Sequence, residues 1–561
     1  MKSYLKKSLL INILLCTFTL ISGQSNCDNP LAQSELDING VRARLLTGGD
    51  LWGDGADGRY IVPKQPPGVS EISAFYTAGI WIAGKDGEDE IRLAAQTYGR
   101  SNGRFDYYSG PLNPVDGSVT REACAAWDRI FSVERQDIQA HIQDFELDGE
   151  IDADLPNSIE RWPGSGNAFY AGTSGYEPLF TGQPMAPFFD RNDDGIYQPE
   201  LGDYPLIKGD EAHWWVNNDF GNIHRNTNAP PVQMEIQTLA FAESTSPPAL
   251  NLATFYEYKL YYRGSEPLDS FYLSLWTDPD LGCFTDDFVG SIPSENVGYV
   301  YNGDATDLSC SGTVGYDTEI PVVGIKMLER PQVVNGATAN FSSFMYFLPA
   351  NFPIEAMQTP TSPQEYYNYM AGRWRDGSPL TQGGNGYQSG EATTAYAFPG
   401  DLAEGGEWTE CSAGNQAGDR RFMMNYGPLS INPGDEINFC FAVVTVEDQP
   451  HPCPSTDDLL AAIDTVITYY EGLTSSTEGP PLANRDEIAV FPNPVRQQAF
   501  FRAETPIVQL AVYSINGVLV QEVENSTPNL ELSTADWPAG IYIYKAQTLN
   551  GRAYTGKLIV E

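Results

Sequence analysis

Two neighbouring stretches in the middle of the chain alternate apolar and polar side chains, and this period constrains the fold most strongly. In residues 255–263 one face is formed by Tyr256, Tyr258, Leu260 and Tyr262. The opposite face carries Glu257, Lys259 and Arg263. In residues 271–276 one side is formed by Phe271, Leu273 and Leu275. Because successive side chains of a strand point to opposite faces, the pattern predicts an antiparallel pair, joined by a turn at 264–267, with one face in water.

Other segments follow the same strand-and-turn pattern. Residues 73–83 and 91–98 predict a hairpin around the polar turn 85–90, and strands continue in 327–347 and 420–446. The chain also contains 31 Tyr, 26 Phe, 53 Gly and 40 Pro, which favours strands and turns over helices. The predicted fold class is therefore mainly β, with an antiparallel β-sandwich-type main region.

One helix is predicted near residue 460. Ser455 or Thr456 caps its start, acidic residues at 457 and 458 favour its N-terminus, and Gly472 ends it. Its apolar stripe consists of Leu459, Leu460, Ile463, Val466, Ile467 and Tyr470. Residues 128–142 fit either a helix or a strand.

The 561 residues are too many for one hydrophobic core, so several domains are expected. Residues 1–23 have the pattern of a signal peptide, with three lysines, an apolar run and a small-residue cleavage site. No later run reaches the roughly 18–20 apolar residues that a membrane-spanning helix needs. Four regions are predicted after the signal peptide. They are an N-terminal β-rich region (24–245), a sandwich-like region ending in the helix (246–473), a polar linker (474–487) and a C-terminal domain (488–561).

The charge balance excludes one class of partner. The chain has 74 acidic and 32 basic residues, a formal net charge of −42. Proteins bind nucleic acid mainly by neutralising phosphates with Lys and Arg, so no nucleic-acid partner is expected. Such an acidic surface either keeps a protein soluble or places some carboxylates around divalent cations.

Seven cysteines follow the signal sequence: Cys27, Cys124, Cys283, Cys310, Cys411, Cys440 and Cys453. In an oxidising compartment some of them form disulfides, an odd count leaves one over, and spacing does not choose the partners. None forms a C-x-x-C pair, so no structural zinc site is predicted.

Motifs for nucleotide binding and hydrolysis are absent or lack their context. Residues 53–58 match G-x-G-x-x-G, but Asp54 and Asp57 would repel a pyrophosphate and a strand follows instead of a helix. The sequence has no H-E-x-x-H motif, and no catalytic residue is assigned. Trp214 and Trp215 fit either a sugar-stacking surface or an aromatic core.

The strongest chemical signal is an acidic loop at residues 190–203. Asp190, Asn192 and Asp194 occupy positions 1, 3 and 5 of an EF-hand-type calcium loop, Gly195 occupies position 6, and the Ile196 carbonyl is available at position 7. Position 12 is Leu201, so the closing carboxylate would come from Glu200 or Asp203. The pattern predicts a calcium site between non-helical elements, with an ion-free Asp/Asn/Gly turn as its alternative.

A second acidic segment follows the predicted strand 271–276. It contains Asp278, Asp280, Asp286 and Asp287, and four carboxylates so close together need either a cation or exposure to water. Three interpretations are open: a second calcium site, an exposed acidic loop, or a catalytic carboxylate pair.

The C-terminal domain resembles the type A C-terminal sorting domain of type IX secretion cargo. The resemblance is carried by Pro492-Asn493-Pro494, by Asn516-Gly517 after a strand, by Gly540-Ile-Tyr542 after Pro538-Ala, and by Lys557 in the final strand. It implies a small β-sandwich at 488–561 that the secretion translocon and its sorting machinery recognise. It also implies passage through the periplasm to the outer-membrane surface or the extracellular space.

The preceding cargo region resembles large secreted proteins that carry such tails, through phrases such as Gly202-Asp-Tyr-Pro205 and residues 278–290. This resemblance implies an architecture and supplies no catalytic residue. The sequence thus predicts a secreted or cell-surface, calcium-stabilised, non-enzymatic β-protein with an adhesion, matrix or binding role and an unidentified extracellular ligand. The alternative is a secreted hydrolase acting on polysaccharide or peptide.

Overall fold

The computed structural model describes residues 26–66, 68–245, 247–403, 406–475, 489–491, 495–496, 498–514, 518–535, 537–549 and 553–560. The predicted signal peptide lies outside them. The chain divides into two compact units, the first ending at Leu473 and the second beginning at Thr474. No helix within the described residues is long and apolar enough to cross a membrane.

The larger unit is built mainly from antiparallel strands, as predicted. Its strands are β1 (Gln33–Leu36), β2 (Arg42–Leu46), β3 (Asp50–Leu51), β4 (Tyr60–Ile61), β5 (Thr77–Lys85), β6 (Ile91–Ala95), β7 (Tyr108–Ser109), β8 (Phe131–Glu134), β9 (Phe188–Phe189), β10 (Tyr204–Pro205), β11 (Glu211–Asn218), β12 (Met234–Ala242), β13 (Ala253–Tyr262), β14 (Leu268–Asp278), β15 (Asp287–Ile292), β16 (Val297–Asn302), β17 (Val322–Val333), β18 (Phe341–Phe347), β19 (Arg421–Ile431) and β20 (Glu436–Val446).

These strands form two large sheets and a short ribbon of β9 and β10. The first sheet has the order β1-β2-β3-β5-β14-β19-β18, with β4 beside β2 and β6 beside β5. The second has the order β15-β16-β17-β20-β13-β12-β11-β7, with β8 beside β11. Strands from 24–245 and from 246–473 therefore share both sheets, since β5 pairs with β14 and β12 pairs with β13.

One hydrophobic core contains side chains from both sheets. Tyr256, Tyr258 and Leu260 of β13 lie in the same buried cluster as Leu273 and Leu275 of β14. The indole of Trp52, next to β3, donates a hydrogen bond of 2.8 Å to the hydroxyl of Tyr256 in the other sheet. The alternation seen in the sequence therefore identifies the faces that meet in the sandwich.

The predicted pairing of the two alternating strands is wrong. β13 pairs with β12 and β20 in the second sheet, whereas β14 pairs with β5 and β19 in the first. The predicted water-facing sides are also partly covered, because Tyr470 of a helix donates to Glu257, and Tyr367 of another helix packs on Tyr272. The alternation predicts which face of each strand is buried, but it does not predict the partner strand. The chain crosses from one sheet to the other between β13 and β14.

The described α-helices are α1 (Gly99–Asn102), α2 (Arg121–Trp127), α3 (Arg135–Asp148), α4 (Asn157–Glu160), α5 (Pro248–Asn251), α6 (Pro363–Met370), α7 (Glu410–Ala413) and α8 (Asp457–Ser475). Within the described residues, all α-helices but α3 and α8 are at most eight residues long. The segment 128–142 contains both alternatives, β8 followed by the start of α3. Helix α8 confirms the predicted helix near residue 460, and the Asp457 amide donates to Ser455 Oγ at 3.1 Å. It continues past Gly472 to Ser475.

Disulfides join Cys27 to Cys124, Cys283 to Cys310 and Cys411 to Cys453. Among the cysteines that the structure describes, Cys440 is the one outside a disulfide, and it is buried in the middle of β20. The odd count thus leaves one unpaired cysteine, as the sequence requires.

The second unit contains the strands β21 (Ala489–Phe491), β22 (Gln498–Ser514), β23 (Leu519–Ser533), β24 (Gly540–Thr548) and β25 (Ala553–Val560). Their order is β21-β22-β24-β25, with β23 also beside β22. A separate apolar core includes Phe501, Leu510, Tyr544 and Leu558. This unit therefore has a core of its own.

Two carboxylate-rich candidate sites

The acidic loop at residues 190–203 is closed at its base by the ribbon of β9 and β10. Tyr204 is opposite Phe189 in this ribbon, and their rings stack with centroids 4.7 Å apart. A 3-10 turn at Pro199–Leu201 lies within the loop, and no α-helix follows it directly. The loop therefore connects non-helical elements.

The side-chain oxygens of the first half of the loop accept hydrogen bonds from its own backbone. Asp190 accepts from the amides of Asp194 at 3.3 Å and Gly195 at 2.6 Å. Asp194 accepts from the amide of Ile196 at 2.8 Å, and the Asn192 side-chain amide donates to Asp194 at 3.0 Å. Gly195 has φ of +77°, the left-handed conformation that its place in the turn requires. The three predicted side chains thus lie together at the loop tip.

Asp203, one of the two candidates for the closing carboxylate, is turned into the loop. It is buried, and its oxygens accept from the amides of Arg191 at 2.9 Å and Gln198 at 2.8 Å. Burial raises the pKa of Asp203, and the nearby charges of Asp190 and Asp194 raise it further against the lowering effect of these two amides. Glu200 is exposed. Asp203 is therefore the better placed of the two.

The second acidic segment begins at the end of β14 and includes a residue distant in sequence. Strands β14 and β19 are antiparallel, with Thr277 opposite Phe422, so the end of β14 meets the start of β19. This register brings Asp419 to the end of β14. One ligand atom each of Asp278, Asp280 and Asp419 lies within 4.8 Å of the others. We call these three residues the interior carboxylate cluster.

A half-buried arginine, Arg421, and a half-buried tyrosine, Tyr98, hold the cluster in place. Arg421 Nε lies 3.1 Å from Asp278 Oδ1, and Arg421 Nη1 lies 2.6 Å from Asp419 Oδ1. The Tyr98 hydroxyl donates a hydrogen bond of 2.6 Å to Asp278 Oδ2 and accepts one of 2.9 Å from Arg421 Nε. One guanidinium therefore serves two carboxylates.

The other two predicted carboxylates, Asp286 and Asp287, are not members of this cluster. Asp286 groups with Asp307 and with Cys283, whose sulfur is bonded to Cys310 and is not a thiolate. Asp307 accepts hydrogen bonds from the amides of Cys283 at 3.0 Å and Tyr316 at 2.6 Å. The four residues predicted as one set are therefore divided.

Asp287 is fully buried at the start of β15. Its Oδ2 accepts from the amide of Leu281 at 3.1 Å, whereas its Oδ1 has no hydrogen-bond partner within the part of the chain that the structure describes. It lies close enough to Asp280 for the two charges to interact.

The cluster is electrostatically costly when every carboxyl is ionised. Burial raises the pKa of Asp278 to about 7, against the lowering effect of Arg421. Burial also raises the pKa of Asp280 and Asp287 well above the usual aspartate range, and that of Asp286 to about 6. Either protons or a cation would relieve this cost.

Sequence reasoning missed Asp307, Asp419, Arg421 and Tyr98. Their positions in the sequence carry no common spacing, and only the register of the sheets brings them to the site. Conversely, Trp214 and Trp215 are each 2% exposed, and Trp214 packs edge-on to Trp127, so they belong to the aromatic core. His213 and His224 are also buried, and no two of the described histidines belong to one cluster of metal-ligating groups.

The predicted sorting-motif residues lie partly within the described chain. Gly540 begins β24, Tyr542 donates to the Pro538 carbonyl at 2.7 Å, and Lys557 lies in β25 opposite Ile543. Pro492, Asn493, Pro494, Asn516 and Gly517 lie outside the described residues.

Fold and composition together define an acidic, disulfide-bonded, mainly β protein with a separate β-rich C-terminal unit. Residues 489–561 match the family model of the secretion system C-terminal sorting domain. The chain thus carries a type IX secretion sorting domain, which implies interaction with that secretion machinery and export to the cell surface or the extracellular space. A comparison with curated proteins finds no match.

Two solved structures show distant similarity. A polysaccharide lyase is 11% identical with a TM-score of 0.18, over 58% of this chain and 34% of the lyase. PorZ, an essential bacterial surface component of the type IX secretion system of Porphyromonas gingivalis, is 10% identical with a TM-score of 0.13, over 68% of this chain and 48% of PorZ. The chain spans less than half of the length of either protein. At these TM-scores neither similarity supports an argument about function.

Proposed function

We propose that this chain is exported by type IX secretion and acts at the cell surface or outside the cell as a non-enzymatic binding or adhesion protein, stabilised by calcium. The observation that carries the proposal is a sorting domain at 489–561 that follows a β-sandwich closed by disulfides. Disulfides of this kind persist in oxidising compartments outside the cytoplasm.

Two sets of oxygen ligands support the calcium part of the proposal. The first is the loop with the side chains of Asp190, Asn192 and Asp194, the Ile196 carbonyl, and Asp203 or Glu200 as the closing carboxylate. The second is the predicted set of Asp278, Asp280 and Asp287; its fourth predicted member, Asp286, groups with Asp307 and Cys283 instead. Calcium prefers six to eight oxygen ligands from carboxylates, carbonyls and water, which is the chemistry that these segments offer.

Calcium stabilisation is tested by thermal unfolding of the full mature chain in calcium and in chelator. An ion that binds only the folded state stabilises it, so chelation should lower the melting temperature. Magnesium at the same concentration is the control, because it demands a smaller and more regular oxygen shell. An identical melting curve in calcium and chelator would remove calcium from the proposal.

Export is tested by deleting residues 488–561 in the producing cell. The cargo should fold and remain in the periplasm, because it has an apolar core that contains no tail residue. Surface labelling and cell fractionation measure the outcome. Normal surface display of the truncated chain would contradict the sorting role.

The competing hydrolase function is tested by digestion of polysaccharides and peptides with the full mature chain. If the unmodified chain turns over a substrate and the Asp278→Asn variant does not, the chain is a hydrolase and the proposed non-enzymatic function is wrong. Binding to glycan or matrix arrays without turnover would support the proposal.

A further inference from the structure

We propose that Asp278, Asp280 and Asp419 hold one calcium ion inside the larger unit, with the free oxygen of Asp287 available as a fourth ligand. This inference rests on the proposed function only for the choice of calcium. It differs from the sequence-based set, because Asp286 is replaced by Asp419, which lies about 140 positions further along the chain.

The first argument is the convergence of three carboxylates from two separate segments. One ligand atom of each lies within 4.8 Å of the others, a separation that a single cation with oxygen ligands at about 2.4 Å would span. Asp278 ends β14, Asp280 lies in the following turn, and Asp419 precedes β19. Such a site would join two neighbouring strands of the first sheet.

The second argument is uncompensated charge. Arg421 is the guanidinium that contacts Asp278 and Asp419. The nearby Arg420 is bound to Glu410, with Nη2 and Oε2 3.0 Å apart. Asp280 also interacts with the charge of Arg421, so three carboxylates share one guanidinium, and a divalent cation offsets the remaining negative charge.

The third argument is an unsatisfied buried oxygen. Asp287 is fully buried, and its Oδ2 accepts a hydrogen bond of 3.1 Å from the amide of Leu281, the residue after Asp280; its Oδ1 has no hydrogen-bond partner among the described residues. An unpaired polar atom in a protein interior is costly, so such atoms indicate an unseen water or ion. This orphan oxygen is independent of the three-carboxylate geometry.

The fourth argument is access. Asp280 also lines a cavity of about 130 Å³ together with Arg59, Ser73, Gly282 and Thr313. Since a bound water needs about 30 Å³, the cavity has room for waters that complete a calcium shell. Asp280 and Asp419 are themselves half-buried, which gives the ion a route to solvent, so binding should be reversible.

The experiment counts calcium ions by isothermal titration of the full mature chain, using the loop variant Asp190→Asn/Asp194→Asn as the background. The background should retain one site. Adding Asp280→Asn or Asp419→Asn should weaken that site at least about tenfold, because each removes a charged ligand. The matched control is Asp286→Asn, a neighbouring carboxylate outside the cluster, which should leave the affinity unchanged.

Two results would overturn the inference: an unchanged affinity in both Asp280→Asn and Asp419→Asn, or a background variant that is folded by circular dichroism and binds no calcium. If the background variant binds no calcium but the unmodified chain does, the ion binds in the loop at 190–203, and the proposed function stands while the cluster site is wrong. If a cluster variant does not fold, terbium luminescence of the background variant tests whether the cluster binds an ion. Terbium in the cluster should be excited through Tyr98 and Trp276, whose rings lie 5.6 Å apart, and calcium should displace the terbium. No calcium-displaceable signal would also overturn the inference.

Discussion

The loop at 190–203 and the interior carboxylate cluster are both acidic, but they are built in opposite ways. The loop takes its oxygens from one short segment, and the carboxylates of Asp190 and Asp194 accept hydrogen bonds from backbone amides of the same turn. The cluster takes its oxygens from two segments far apart in sequence and holds them, one buried and two half-buried, around Arg421. Ligands that are local in sequence can be recognised from spacing, whereas ligands that are assembled by strand register become visible only in the fold.

The largest effect is expected at the centre of the cluster. Replacing Arg421 by Met should lower the free energy of unfolding by about 3–5 kcal/mol in chelator, because buried carboxylates lose their counter-charge. The matched variant in the loop is Arg191→Met, which should cost much less since Arg191 is exposed. Denaturant titration of both variants measures the difference. Equal losses would show that the two regions are not energetically distinct.

A pH series should show the next largest effect. Burial raises the pKa of Asp278 from 3.8 to about 7, so the folded state holds protons that the unfolded state has released. In chelator the cluster's contribution to stability should therefore be most favourable near pH 4 and decline as the pH rises towards about 7. Calcium requires the ionised carboxylates, so its affinity should rise over the same range.

Denaturant unfolding at several pH values, with and without calcium, measures both trends. Asp280→Asn removes one buried charge and should flatten the decline that is seen in chelator. A decline of the same slope in this variant would assign the pH dependence to other groups.

The smallest effect is expected in the loop. In chelator, Asp190→Asn/Asp194→Asn should cost only about 1 kcal/mol, because exposed hydrogen bonds contribute modestly to stability. The control is Asp193→Asn, an exposed position with φ of +57° that asparagine tolerates. In calcium the double variant should lose more stability than in chelator. The same loss in both conditions would mean that the loop is a turn without an ion.

Much of the fold could be predicted from local patterns. The hairpin of β5 and β6, the helix α8 and the buried faces of β13 and β14 follow from periodicity and capping. The partners of β13 and β14 could not be predicted, because alternation specifies a face and not a neighbour. The same limit applies to the cluster, where Asp419 has no sequence relation to Asp278.

The position of β20 has a consequence for the order in which the chain can complete its fold. This strand is the last of the larger unit, yet it lies between β17 and β13 in the middle of the second sheet. A nascent chain that ends before residue 436 would leave two open sheet edges, which invite aggregation. Folding of this sheet is therefore completed only after nearly the whole cargo has left the ribosome. Because the sorting domain follows the cargo in the sequence, a chain whose sorting domain has been synthesised already contains every strand of the cargo's sheets.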